Sequence, residues 1–556
     1  MSEIQIRLQS LRDAMKRMGG DAFYCALTDA HLSEYIQRAD QFLTYLTGFT
    51  GSNAQLLVTA DRALLWTDSR YWEQAAQELS GTGIELMKEG LKEVPAVYEW
   101  LASNKGETFT LVTPLETMPL ARYQKIQKTM KNIVDFTDKM ISDEWPERPK
   151  REIHPLYVHK ASSVTAHDKL KRLQVYVAHQ KVTGNDKALL LTKLDDIAWL
   201  TNLRGSDIDF NPVFLSWALV SEDSATLFVN ETVIDKTIEA HLVEAGWRIA
   251  DYSTFEMALA DFIAQGGQCL GRSRELNAKL SQLVGHAWCE NAHPVALWKS
   301  VKTPEELEGL RAVMKADGRA LEEFIKEIKV RLLRGEKLTE NDAVEILHEQ
   351  RAAIEGFIGE SFGTIAAVDA NAALPHYEPK PGKGAPITPP CILLVDSGAH
   401  YDQGTTDTTR VWFLGDTKDV PAEKLYRMKR DYTAVYKAMK ALSEATFKPG
   451  TRGVDLDKIA RAPIHAIGAD FGHGTGHGIG LTLNVHETPP TISPREHEGS
   501  VTPFEPGMVT SDEPGIYRPG EWGIRLENML VCVQKADGLL GFETLTQCEI
   551  DKTLLD

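Results

Sequence analysis

The amino-acid sequence predicts a multidomain chain of α/β and α+β architecture, with two related α/β domains in tandem and a larger α+β domain behind them. Three observations predict it. The 556 residues exceed what one hydrophobic core organises, since domains of roughly 100–200 residues are usual. An eight-residue motif occurs twice, as YLTGFTGS at 45–52 and WLTNLRGS at 199–206, each time ahead of an apolar, β-prone segment at 54–59 or 213–220. From residue 391 strand-like runs set in, alternating with helical segments at 303–334 and 421–445.

The elements follow in order. Ile4, Leu8, Leu11 and Met15 fall on one face of an N-terminal amphipathic helix, and interspersed charges exclude a signal peptide. Residues 143–155 (DEWPERPKREIHP) join three prolines to dense charge and read as a linker, which sets the first domain at 1–155. A second boundary lies within 291–302, giving domains at 156–299 and 300–556. It is followed by a strong helix start in which Thr303 caps, Pro304 takes the first helical position and Glu306 completes a capping box. A second start follows at Thr339. The strands of the third domain are CILLVDSG, TTDTTRVWFLG, MVTSDEPGIY and WGIRLENMLVCV.

Composition narrows the function. A formal charge of -18 repels phosphate backbones and argues against nucleic acid as a partner. The six cysteines are scattered without a CxxC pair, as expected of reduced thiols, and no run approaches the ~18 apolar residues of a membrane span. The expectation is a cytoplasmic protein with no membrane association.

The chemistry concentrates near the C-terminal end. Asp396 ends one apolar strand and Asp407 enters the next; a turn centred near Tyr401 and Asp402 would set them opposite each other across a hairpin. Two carboxylates facing each other in a core cannot both stay ionised without a cation. His473 and His477 stand among glycines in HGTGHGIG, where backbone can approach a ligand closely, and His486 follows in LNVHE. Glu513 precedes Pro514 and Gly515, and strand alternation gives Arg525 and Glu527 one face. Singly, each has an ordinary explanation: a turn aspartate, a histidine-rich loop, an exposed Arg–Glu pair. Together they form a set of four carboxylates and one imidazole, hard enough to favour manganese over a thiolate-type zinc site and suited to two cations that activate a water for hydrolysis.

These contexts, VDSG, TTDTTR, HGTGHG, DEPG and GIRLEN, resemble in order those of the Xaa-Pro aminopeptidases (aminopeptidase P) within the pita-bread metallopeptidases. The resemblance implies two creatinase-like N-terminal domains and a pita-bread catalytic domain. It implies two divalent ions, manganese first with zinc or cobalt as alternatives, held by Asp396, Asp407, His477, Glu513 and Glu527. Asp396 would serve one ion, His477 and Glu513 the other, with Asp407 and Glu527 bridging. A hydroxide between the ions would attack the first peptide carbonyl, with Glu513 as general base. His376 (in ALPHYEP), His473 and His486 match family histidines that orient the carbonyl, line the proline pocket or shuttle a proton, and Tyr517 and Arg525 match residues beside the substrate. The substrates implied are peptides with proline second, whose Xaa–Pro bond is a tertiary amide that strand-reading proteases cannot bind. A homodimer is the candidate assembly, although the helical tail that aids dimerisation in long members is not seen beyond Asp556. Two other readings stay open: a prolidase restricted to Xaa-Pro dipeptides, and a peptide-binding protein without catalysis.

Overall fold

The computed structural model describes residues 2–104, 108–182 and 186–556, which divide into two compact units. The first unit spans most of the chain up to His293 and contains two six-stranded sheets. In one, Ala22–Ala26 pairs antiparallel with Gln55–Thr59 and parallel with Thr110–Thr113. In the other, Lys187–Leu191 pairs antiparallel with Ser216–Val220 and parallel with Gln268–Gly271. The outer strands repeat the same senses, so the two sheets share one topology.

The repeated octapeptide has a structural reason. Both copies end a short helix, Phe42–Thr47 and Leu194–Thr201, on a left-handed residue, Gly48 at φ 74° and Asn202 at φ 51°. Glycine and asparagine are the residues that take this conformation at a helix C-terminus most readily. Thr47 and Thr201 turn their hydroxyls back onto the carbonyls of Leu43 and Ile197, one helical turn earlier. The N-terminal helix Glu3–Arg17 buries Leu8, Leu11 and Met15 as its periodicity predicts, with Ile4 at the margin.

The second unit is built mainly from residues 294–556. Its long helix Pro304–Leu333 starts at the predicted capping box, with Thr303 accepting from the Glu306 amide and Glu306 accepting from the Thr303 amide. The next helix, Glu340–Ala352, starts at Thr339 in the same way. Three sheets carry the site. One holds Ile365–Val368, Cys391–Ser397 and Thr408–Leu414; a second has six strands ending in Asn528–Gln534, Val509–Asp512, Gly476–Gly478 and Glu487–Ile492; a third is the two-stranded ribbon Gly515–Arg518 with Trp522–Arg525. Among the described residues no helix is long and apolar enough to cross a membrane.

Candidate metal centre

The site begins on the hairpin that carries both aspartates. Its turn lies at Asp402 and Gln403, because His400 pairs with Thr405 and Tyr401 with Gly404. That register continues into the strands, where Asp396 faces Thr409. The directly opposed aspartates expected from a turn at Tyr401 and Asp402 are therefore corrected: Asp407, two residues before Thr409, is the diagonal neighbour of Asp396 on the same face. Diagonal carboxylates still reach a common point.

The other side chains expected as ligands come from the six-stranded sheet or the residues that adjoin it. His477 sits in Gly476–Gly478, against Glu487–Ile492 on one side and Val509–Asp512 on the other. Close backbone contact requires glycine before it: a Cβ on Gly476 would stand 2.1 Å from the Ser511 carbonyl oxygen. Glu513 follows Val509–Asp512 directly, and its amide donates to the Thr475 carbonyl (2.8 Å). Glu527 links the sheets, its amide donating to the Thr409 carbonyl (3.1 Å) while its Oε2 accepts from the Thr409 hydroxyl (2.8 Å).

These residues converge. Donor atoms of Asp407, His477 and Glu527 lie within 4.8 Å of one another. His477 Nε2 is 3.4 Å from Asp407 Oδ2 and 3.4 Å from Glu513 Oε1. Its Nδ1 donates to the Gly478 carbonyl (2.9 Å), which leaves Nε2 as the atom aimed at the carboxylates. Asp396 is 8% exposed; its Oδ2 accepts from Arg525 (2.6 Å), while its buried Oδ1 has no hydrogen-bond partner among the described residues.

Electrostatics say what such a cluster needs. Burial, then repulsion from neighbouring carboxylates, holds Glu527 well above the usual range. Burial likewise raises Asp407 and brings Glu513 up to about 7. For His477 burial alone would act downward, but the bond to Asp407 and the charges of Glu513 and Asp407 bring it up to about 9. Carboxylates this crowded stay ionised only beside added positive charge. An orphaned aspartate oxygen, three convergent carboxylates and an imidazole nitrogen of fixed tautomer are a donor set that fits divalent cations.

Of the remaining predicted residues, Arg525, Tyr517, His473 and His486 connect to this cluster. Arg525 is buried and donates to Asp396, Tyr517 (2.8 Å) and Thr409 (3.2 Å). Tyr517 in turn bonds His473 Nε2 at 2.7 Å, and His473 Nδ1 donates to the Gly474 carbonyl. The ring of His486 stands edge-on to that of His477, 4.4 Å between centroids. His376 lies half-buried three residues beyond the turn Asp369–Ala373, which packs on the ribbon so tightly that a Cβ on Gly523 would meet the Ala372 carbonyl oxygen at 1.7 Å. Sequence reasoning missed Thr409, Arg410 and Ser511. Arg410 is buried and clamps the carbonyls of Glu527 and Cys548, and the Ser511 hydroxyl bridges the His477 amide and Glu513. The available signal was polarity inside apolar strands, at positions flanking the quoted motifs.

The fold and site define a metal-dependent hydrolytic domain behind two tandem α/β domains. Comparisons with known proteins agree. Residues 308–534 match metallopeptidase family M24, and residues 7–142 and 146–306 each match a creatinase/prolidase N-terminal domain. The proteins named "Probable Xaa-Pro aminopeptidase P" of Tuber melanosporum and Botryotinia fuckeliana are both 36% identical, over 99% of this chain and 92% and 86% of their own lengths. The crystal structure of X-prolyl aminopeptidase from Caenorhabditis elegans, described as a cytosolic enzyme with a di-nuclear active site, superposes with a TM-score of 0.93 at 29% identity, covering 100% of this chain and 92% of that one. The chain belongs to the Xaa-Pro aminopeptidase P family of M24 metallopeptidases.

Proposed function

We propose that this enzyme releases the N-terminal residue from peptides whose second residue is proline, with two divalent cations held by Asp396, Asp407, His477, Glu513 and Glu527. The observation that carries the reading is the convergence of Asp407, His477 and Glu527 donors within 4.8 Å, with Glu513 against His477. Asp396 would serve one ion, His477 and Glu513 the other, and Asp407 and Glu527 both. Four carboxylates and one imidazole favour manganese, ahead of zinc or cobalt. When bound, the two ions would supply Lewis acidity, lowering the pKa of a water and polarising the scissile carbonyl.

The protein's own groups supply the rest. Arg525 fixes the direction of Asp396, and the Thr409 hydroxyl fixes Glu527. Glu513, beside His477, is placed to accept the proton of the attacking water and return it to the departing proline nitrogen. That nitrogen belongs to a tertiary amide and needs a proton to leave, since it carries none in the substrate. His376, His473 and His486 would orient the peptide carbonyl and line the proline pocket, with His473 held by Tyr517. The domain limits 1–155, 156–299 and 300–556 and a cytoplasmic location belong to the same reading, the latter supported by six free cysteines and the cytosolic relative.

Product analysis of manganese-loaded enzyme on Arg-Pro-Pro, Ala-Pro and Arg-Ala-Pro tests it. Free arginine from Arg-Pro-Pro, with Arg-Ala-Pro untouched, is the expected result. Cleavage of Ala-Pro alone would make the enzyme a prolidase, and no cleavage would leave peptide binding as its activity.

A further inference from the structure

The loop at 466–475, which leads into His477, contains no helix or strand, so something else must give it its shape. Two buried side chains on the helix Gly453–His465 do so. Asp457 (1% exposed) and Arg461 (5%) stand one turn apart, and Arg461 Nε donates to Asp457 Oδ2 at 2.8 Å. The other arms of the guanidinium donate to the carbonyls of Phe471 and His473, each at 2.7 Å. Its face lies 3.8 Å from the Phe471 ring centroid, and Nη1 also reaches Asp470. The free oxygen of Asp457 accepts from the fully buried Thr475 hydroxyl at 2.6 Å.

Thr475 is where this clamp meets the ligand set. Its carbonyl accepts the Glu513 amide, its own amide donates to the Ile492 carbonyl (2.8 Å), and His477 lies two residues on. Asp457 thus reaches His477 and Glu513 through one hydroxyl, and Arg461 reaches His473 through its carbonyl. Planar, forked donation to two carbonyls and a carboxylate is a task for which lysine is a poor substitute.

We infer that Asp457, Arg461 and Thr475 are positioning residues that set the His473–His477 loop and Glu513 at the metal centre; the inference rests on the function proposed above. Groups that orient metal-binding side chains typically alter affinity or activity by about 10–100-fold when removed.

The test compares Thr475→Val, Thr475→Ser and Arg461→Lys with the wild type by two readouts: arginine release from Arg-Pro-Pro, and titration of manganese(II) alone into metal-stripped protein. Thr475→Val is expected to lower kcat about 10-fold with KM little changed and to weaken manganese binding about 10-fold. Thr475→Ser should restore both, and Arg461→Lys should show the valine pattern. Asp455→Asn, on the exposed face of the same helix, should match the wild type. A variant that loses Tm but keeps wild-type kcat and manganese affinity would show a purely structural clamp and overturn the inference. If Thr475→Val does not fold, the contrast between Arg461→Lys and Thr475→Ser decides. Should the wild type cleave no Xaa-Pro peptide, the peptidase reading fails and the manganese titration alone judges the clamp: equal affinities, or no binding by the wild type, would overturn it.

Discussion

Asp407 lies in the densest part of the charged cluster, 3.4 Å from His477 and 4% exposed. Asp407→Asn preserves its volume and removes its charge, so the folded variant should lose at least ~100-fold in kcat/KM and bind manganese more weakly. Steady-state kinetics with metal titration reads both. Arg525→Lys tests the support of Asp396. One ammonium cannot reach Asp396, Tyr517 and Thr409 together, and roughly a 10-fold loss of kcat is expected, with thermal stability measured alongside. The residues proposed as ligands were legible because their chemistry is unusual for a strand: carboxylates and imidazoles amid apolar or glycine-rich runs. Thr409, Arg410 and Ser511 were not, because a hydroxyl or guanidinium acquires its role only through a partner over 100 residues distant, as Thr409 does with Glu527, or over 30, as Ser511 does with His477.

Elements with local signals came through the sequence intact. The capping box at Thr303 rests on a four-residue pattern, and the helix Pro304–Leu333 begins there. Thr303→Ala should reduce stability by about 1 kcal/mol in chemical denaturation while leaving kcat unchanged, since the cap lies outside the proposed ligand set. The strands Cys391–Ser397 and Thr408–Leu414 were equally legible from their apolar runs. Their register was not: placing the turn one position early changes every partner, and only the closed hairpin distinguishes an aspartate opposite from one diagonal. Strand alternation gave Arg525 and Glu527 one face, and both touch Thr409, although the strand ends at Arg525.

At the scale of the whole molecule, eight residues sufficed to suggest a duplication because they encode a helix stop that both halves need, while the shared sheet order depends on long-range pairing no short motif records. The first unit also carries a pH response. His31 is buried against Trp217, with ring nitrogens bonded to the Thr192 carbonyl and the Tyr252 hydroxyl, and burial pushes it down from 6.5 to about 3. The unfolded chain therefore takes up a proton below pH 6.5 that the folded chain refuses, and stability falls as pH drops from 6.5 towards 3. At pH 5 the contribution is roughly 2 kcal/mol. His31→Gln should flatten the pH dependence of urea unfolding of metal-free protein between pH 6.5 and 5 by that amount; an unchanged slope would mean His31 is protonated when folded.

The central claim, a dinuclear aminopeptidase, is tested most directly by titrating manganese(II) into metal-stripped enzyme while following bound metal and arginine release from Arg-Pro-Pro together. The account predicts that activity rises with binding and saturates at two ions per chain. Arginine release undiminished in chelator, or less than one ion bound under every loading condition, would contradict it.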